Sequence, residues 1–291
     1  MNAREVVLAP TTPTSPSLLR TAFRALCTIA PGLATKLAFR LWFTPSRPRV
    51  SDSMRAFLAT GESLNLTVNG RHVAAWTWGT GRTIVLSHGW GGYAAQMQSF
   101  VEPLTRAGFR VVAFDAPAHG QSGASRLGSR KSTFFDFGEV LAELSQRYDV
   151  AGLVAHSGGC TAASLAMRAG WRVPAAVFIA PMASPLAYRQ MFEQALGMTD
   201  DVAQRFSDEV ERRLNARWEE FEVPSLAQAI DTPPLLVIHD RDDRETSWRE
   251  GAEIADAWPN ARLVTTTGLG HRRLLRDASV VAGVVRFFTA S

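Results

Sequence analysis

Short apolar runs alternate with stretches of helical period along most of the chain. Leu64-Asn-Leu-Thr-Val68 alternates as a half-buried strand does, Asn69-Gly70 is a hairpin turn signal, and His72 to Trp78 returns. Apolar runs follow at Thr83–Ser87, at Phe109–Phe114, from Asp149 up to Ala155, at Ala175–Ala180 and at Pro234–Ile238, with a last strand at Arg262–Thr265. Between them lie helical patterns at Ala94–Arg106, Phe134–Arg147, Thr161–Arg168 and 247–257. A final helix starts near Arg273 and runs to Phe288. An antiparallel opening followed by alternating strands and helices predicts an α/β fold. Its core is an eight-stranded, mostly parallel sheet with helices on both faces. Ligands of such sheets sit at the carboxyl ends of the strands.

Two stretches depart from this pattern. Residues 1–17 hold Pro10, Pro13 and Pro16 and read as an extended leader. Residues 18–43 are apolar with spaced basic side chains and divide at Pro31, which predicts two helices. Their longest uncharged run, Ala25 to Thr35, has 11 residues and contains Pro31, too short and too broken to span a bilayer. A secretory signal would not start this late or lack a clear cleavage site. Basic amphipathic segments of this kind either touch anionic lipid or cover a domain face, and we read these as cover helices. The second stretch runs from Ser184 to Asp231, almost fifty residues without a strand. Tyr188 to Leu196 is helical there, and Thr199-Asp-Asp201 opens a helix carrying Val202, Phe206, Val210 and Leu214. Inserted between two core strands, this stretch reads as a helical cap. Its Met182, Met191, Phe192, Met198, Phe206 and Trp218 either line a substrate pocket or pack the cap down. The expected organisation is a leader with cover helices over 1–62, a core over 63–183 and 232–291, and a cap over 184–231.

Composition narrows the function classes. The 291 residues are 46% apolar and 20% charged, ordinary for a globular protein with a large core. The net charge of +4 is uneven: residues 1–50 contribute +6, and the remainder is slightly acidic. The folded body therefore lacks the basic face a nucleic-acid binder needs. Two cysteines, Cys27 and Cys160, form neither a metal-ligand spacing nor a disulfide framework, and no set of His, Cys and acids does. No metal or cofactor is expected, and the location expected is cytoplasmic.

Candidate chemistry centres on one strand end. A buried strand runs into Ala155-His-Ser-Gly-Gly159, and a helix begins at once. Small residues flank Ser157 because a strand turns sharply into a helix only where side chains do not collide. A serine hydroxyl is a weak nucleophile and needs a base, which in turn needs an orienting acid. Downstream strand ends supply both: Asp240, Asp242 and Asp243 in one loop, and His271 in the glycine-rich loop after the last strand. Two upstream strand ends carry His88-Gly-Trp-Gly-Gly92 and Asp115-Ala-Pro-Ala-His-Gly-Gln-Ser122.

In these motifs and their order, residues 64 to 290 resemble an α/β-hydrolase-fold serine hydrolase. The resemblance makes Ala155–Gly159 the nucleophile elbow, with Ala155 where a first glycine is expected, and His88–Gly92 the oxyanion loop. Asp115–Ser122 departs from the family pattern at Ala118, where glycine is usual. The resemblance implies Ser157 as nucleophile, His271 as base and Asp243 as acid, four residues after His239, with Asp242 the alternative. Some members carry the acid after the preceding core strand, but Pro181-Met-Ala-Ser-Pro185 holds none. It also implies an oxyanion hole from the backbone N–H groups of Trp90 and Gly158. His88, His119, His156 and His239 read as structural, His72 as a hairpin residue, and Cys160 as a small buried apolar side chain. The activity implied is carboxylesterase-like, acting on a small acyl ester through an acyl-serine. Thioesterase, lysophospholipase or C–C hydrolase chemistry would use the same triad. A non-catalytic binding protein on the same fold is the alternative of another class.

Overall fold

A computed structural model describes residues 18–290 of the chain. The proline-rich leader lies outside the described residues. Eight strands form one sheet: β1 Glu62–Val68, β2 Arg71–Trp78, β3 Thr83–Ser87, β4 Arg110–Phe114, β5 Val150–His156, β6 Ala176–Ile179, β7 Leu235–Asp240 and β8 Ala261–Thr266. Their order is β1-β2-β4-β3-β5-β6-β7-β8. The β1–β2 and β2–β4 pairs are antiparallel, and every later pair is parallel. Asn69 and Gly70 turn the opening hairpin with φ of 48° and 73°, the left-handed pair that matches strand twist.

Twelve α-helices accompany the sheet among the described residues. They are α1 Leu18–Ile29, α2 Pro31–Trp42, α3 Asp52–Leu58, α4 Val101–Arg106, α5 Phe134–Arg147, α6 Gly158–Arg168, α7 Pro185–Leu196, α8 Asp200–Leu214, α9 Val223–Leu226, α10 Trp248–Ala257, α11 Gly270–Arg273 and α12 Ala278–Thr289. Pro31 begins α2, where its missing N–H costs nothing. Two expected helices are broken. Ala94–Phe100 is a 3-10 segment that passes into α4. The terminal helix starts only at Ala278, because the Asp277 side chain caps it by accepting the Ser279 and Val280 N–H groups. The short α3, capped by Ser51, is an element that the sequence pattern did not reveal.

The chain divides into two compact units. The larger comprises Arg40–Leu186 and Ala216–Ser291 and contains the whole sheet. Successive strand residues feed opposite cores. Val85, Val112, Leu153 and Val237 pack with α5, α6 and α10, through Phe137, Leu141, Ala162 and Trp258. Ile84, Leu86, Val111 and Val154 pack with α4 and α12, through Leu104, Val280 and Val284. Two-sided burial explains why β3, β5 and β7 are mainly apolar and buried at every position rather than alternating.

The smaller unit joins the residues up to Phe39 with Ala187–Asn215. Val202, Phe206, Val210 and Leu214 form the buried face of α8. The Phe192 and Phe206 rings lie 5.8 Å apart, and the Arg213 guanidinium stands 4.8 Å above the Phe39 ring. Among the described residues no helix is long and apolar enough to cross a membrane.

Candidate active site

β5 delivers Ser157 to the carboxyl edge of the sheet with φ 52° and ψ −127°. This is a strained conformation for a residue with a side chain, and the surroundings hold it there. Ser157 N donates to Ile179 O at 3.0 Å, and Cys160 N donates to Ser157 O at 2.9 Å. Two glycines make room for the turn. A Cβ on Gly159 would lie 2.5 Å from His88 O, and one on Gly89 would lie 3.0 Å from Ser157 Cβ. Ala155, the departure from the motif, is fully buried between Ser87 of β3 and Phe178 of β6. Its methyl does not prevent the elbow. Ser157 stands at the N-terminus of α6, yet its hydroxyl makes no capping hydrogen bond.

The loop after β3 lies against this elbow. His88 Nδ1–H donates to Gly89 O at 2.7 Å, and its Nε2 accepts the Ala116 N–H at 2.9 Å. Those bonds define a neutral tautomer, and burial lowers the His88 pKa. The Trp90 ring meets His119 and Phe134 edge-on, at 5.4 Å and 5.6 Å. Neither Trp90 N–H nor Gly158 N–H has a hydrogen-bond partner among the described residues. The loop after β4 is tied by Asp115, which accepts the Ala94 and Gln121 N–H groups, each at 2.7 Å. Ala118, in the glycine position of that loop, takes φ 62°, and its carbonyl accepts Arg47 Nε at 2.8 Å.

The acid and base loops meet at Asp243 and His271. His271 Nδ1 lies 2.8 Å from Asp243 Oδ2. His239 Nε2 lies 3.3 Å from the same oxygen. Asp243 Oδ1 accepts the Glu245 and Thr246 N–H groups at 2.8 and 3.0 Å. Burial alone would raise the Asp243 pKa. Hydrogen bonds from His239 and His271, the His271 charge and the Thr246 N–H outweigh it and hold this carboxyl well below the carboxylate range. Asp242 is placed elsewhere: its Oδ2 accepts Gly268 N–H at 2.7 Å.

Two contributors escaped sequence reading. Asp240 accepts the Leu269 and Gly270 N–H groups at 3.0 and 2.9 Å and the Thr266 hydroxyl at 2.6 Å, which fastens the loop leading into His271. Thr246 Oγ1 lies 3.1 Å from both Asp243 Oδ2 and His271 Nδ1. Asp243 Oδ1 accepts the N–H of Glu245 two residues on, an Asx-turn that brings Thr246 back onto Asp243. His156 Nε2–H donates to His271 O at 3.1 Å, so it anchors the loop from below. Its pKa is lowered to about 3, first by burial and then by the nearby His271 charge.

Ser157 and His271 line one cavity of about 410 Å³. The Asp243–His271 pair is joined by a hydrogen bond, whereas Ser157 and His271 share the cavity without one. Its other walls include Gly89–Tyr93, Gln96, Ser46, Pro48 and Met54. Of the two roles open to Met182 and Trp218, packing is the one the structure shows: both are buried, and neither lines this cavity. No cluster of metal-ligating side chains is present among the described residues.

Residues 82–232 match the family model described as alpha/beta hydrolase fold, and residues 209–291 match that described as TAP-like protein. A RutD protein of Pseudomonas savastanoi pv. phaseolicola, provisionally named a carbamate hydrolase, is 37% identical over 71 residues, 24% of this chain and 27% of that protein. The match thus spans about a quarter of that relative's length. A RutD of Variovorax paradoxus, with the same provisional name, is 26% identical over 245 residues, 69% of this chain and 88% of that protein. An esterase from Pyrococcus furiosus shares the fold with a TM-score of 0.62 at 18% identity, covering 85% of this chain and 97% of that one.

Proposed function

Since the chain belongs to the alpha/beta hydrolase fold family, we propose that it hydrolyses a carboxylic ester through an acyl-serine intermediate. The observation that carries this reading is Ser157 at φ 52°, ψ −127° beside a cavity that it shares with His271, whose Nδ1 lies 2.8 Å from Asp243 Oδ2 outside that cavity. Asp243 and Thr246 occupy His271 Nδ1, which leaves Nε2 as the base. Ser157 Oγ attacks the acyl carbon and gives its proton to Nε2. Asp243 holds the imidazole in that tautomer and offsets the imidazolium charge. The N–H groups of Trp90 and Gly158 donate to the oxyanion. Each such donor is typically worth about 3–4 kcal/mol in the transition state. The tetrahedral intermediate collapses, and His271 protonates the departing alcohol. Water then attacks the acyl-serine with His271 again as base, releasing the carboxylic acid and restoring Ser157.

A carbamate presents the same carbonyl to the same nucleophile, and the RutD likeness favours it as the second reading. Fluorophosphonate labelling tests the nucleophile: wild type is expected to label and Ser157→Ala to remain unlabelled. A folded wild type that does not label sinks the serine mechanism. p-Nitrophenyl esters of increasing chain length, run beside a p-nitrophenyl carbamate, separate the two substrate classes and report pocket depth.

A further inference from the structure

α1 turns an apolar stripe outward, and α2 exposes Leu33 and Leu41 beside basic side chains. Leu18, Ala22, Ala25 and Ile29 fall at steps of four, three and four residues, one stripe of α1, and all four are exposed. Phe23 and Cys27, on the opposite side of the same helix, are buried. Leu18 is 91% exposed and Ile29 82%, so this stripe is uncovered by any described residue. Leu33 on α2 is 58% exposed, followed on the same face by Arg40 and flanked by Lys36, both exposed. Of the seven large hydrophobic side chains exposed among the described residues, five lie between Leu18 and Leu41. Single exposed leucines are normal, but such a concentration on one helix pair marks a surface built to meet something.

Charge says what that is. α1 and α2 carry four basic side chains, Arg20, Arg24, Lys36 and Arg40, and no acidic one, with Lys36 sharing a hollow with Asp208, Glu209, Arg205 and Arg212 of α8. Apolar side chains that insert beside lysines and arginines suit an anionic lipid surface, because the stems of the basic residues lie along the apolar layer while their heads meet phosphate. We propose that the outward face of α1 and α2, with Leu18, Ile29 and Leu33 inserted and Arg24, Lys36 and Arg40 around them, docks this protein on anionic membrane. The pair lies in the interface and does not span it, as the length of each helix requires.

Sedimentation of the full chain with vesicles tests this without any need for catalysis. Wild type is expected to pellet with phosphatidylcholine–phosphatidylglycerol vesicles, to stay in solution with phosphatidylcholine alone, and to be released by high salt. Arg24→Glu/Lys36→Glu/Arg40→Glu should weaken binding roughly a hundredfold or more. Leu18→Ser/Ile29→Ser should weaken it roughly tenfold or more at unchanged charge. Every side chain changed is exposed, and unaltered thermal melts would show that both variants fold. Wild type that remains in solution with anionic vesicles overturns the proposal, and so do variants that pellet as wild type does. A wild-type dimer that Leu18→Ser/Ile29→Ser splits, with no vesicle binding by either, assigns the stripe to a second copy and overturns it too.

Discussion

Asp240 accepts the Gly270 N–H at 2.9 Å, and so fixes the residue immediately before His271 from a strand end thirty positions upstream. The same carboxylate takes the Leu269 N–H and the Thr266 hydroxyl. Asp240→Ala therefore strands three loop amides, those of Asp242, Leu269 and Gly270, and we expect a loss of about 1–3 kcal/mol in urea unfolding. A His271 displaced by about 1 Å should cost roughly a hundredfold in kcat with little change in KM. Asp240→Asn keeps one acceptor oxygen and should lose less of both. An Asp240→Ala enzyme with wild-type kcat would show that the loop holds His271 without this staple.

Asp242 and Asp243 offer a sharp comparison, because they are adjacent and only one touches His271. Asp243→Asn is expected to lower kcat by about four orders of magnitude, through loss of the correct imidazole tautomer. Asp242→Asn keeps an amide oxygen to accept the Gly268 N–H and should stay within about tenfold of wild type. Reversed magnitudes in ester-hydrolysis kinetics would reassign the acid.

At the elbow, Gly159→Ala places a methyl against the His88 carbonyl, 2.5 Å away, where backbone must move. Overpacking of this kind costs about 1–3 kcal/mol. Since the displaced segments carry Gly158 and Trp90, kcat should fall more than stability would suggest. Fluorophosphonate labelling rates of wild type and variant measure this directly.

Two buried histidines set a pH dependence of stability. Burial above all lowers the pKa of both His119 and His156 from 6.5 to about 3. Between those limits the unfolded chain binds the protons that the folded chain refuses. Stability is thus complete above pH 6.5 and falls as pH drops towards 3, by about 1.4 kcal/mol per pH unit for each group. Urea titrations at about pH 7, 6 and 5 should show this slope, and His119→Asn should make it shallower. A slope unchanged in His119→Asn would mean that His119 is protonated in the native state.

The sequence by itself determined the strands, most of the helices and the place of Ser157 at the turn from β5 into α6. Those features are written locally: apolar runs too short for helices, period changes at glycines, and a serine between a strand and a helix with only small neighbours. Phe134–Arg147 follows its helical pattern from first residue to last, and the elbow forms despite Ala155. The broken helix at Ala94 and the late start of α12 were hidden, because a 3-10 turn and an Asp277 cap barely disturb the apolar period.

Only the tertiary structure decided which acid meets His271, that Asp240 fastens the base loop, and that Ser46, Pro48 and Met54 wall the cavity beside Ser157. Those facts depend on how loops from separate strands converge after β7 and β8 pair in register. The spacing of Asp240, Asp242 and Asp243 along the chain carries no record of that convergence. In sequence the three acids differ only by their count from His239, which singled out Asp243, and the sheet edge gives each a different partner.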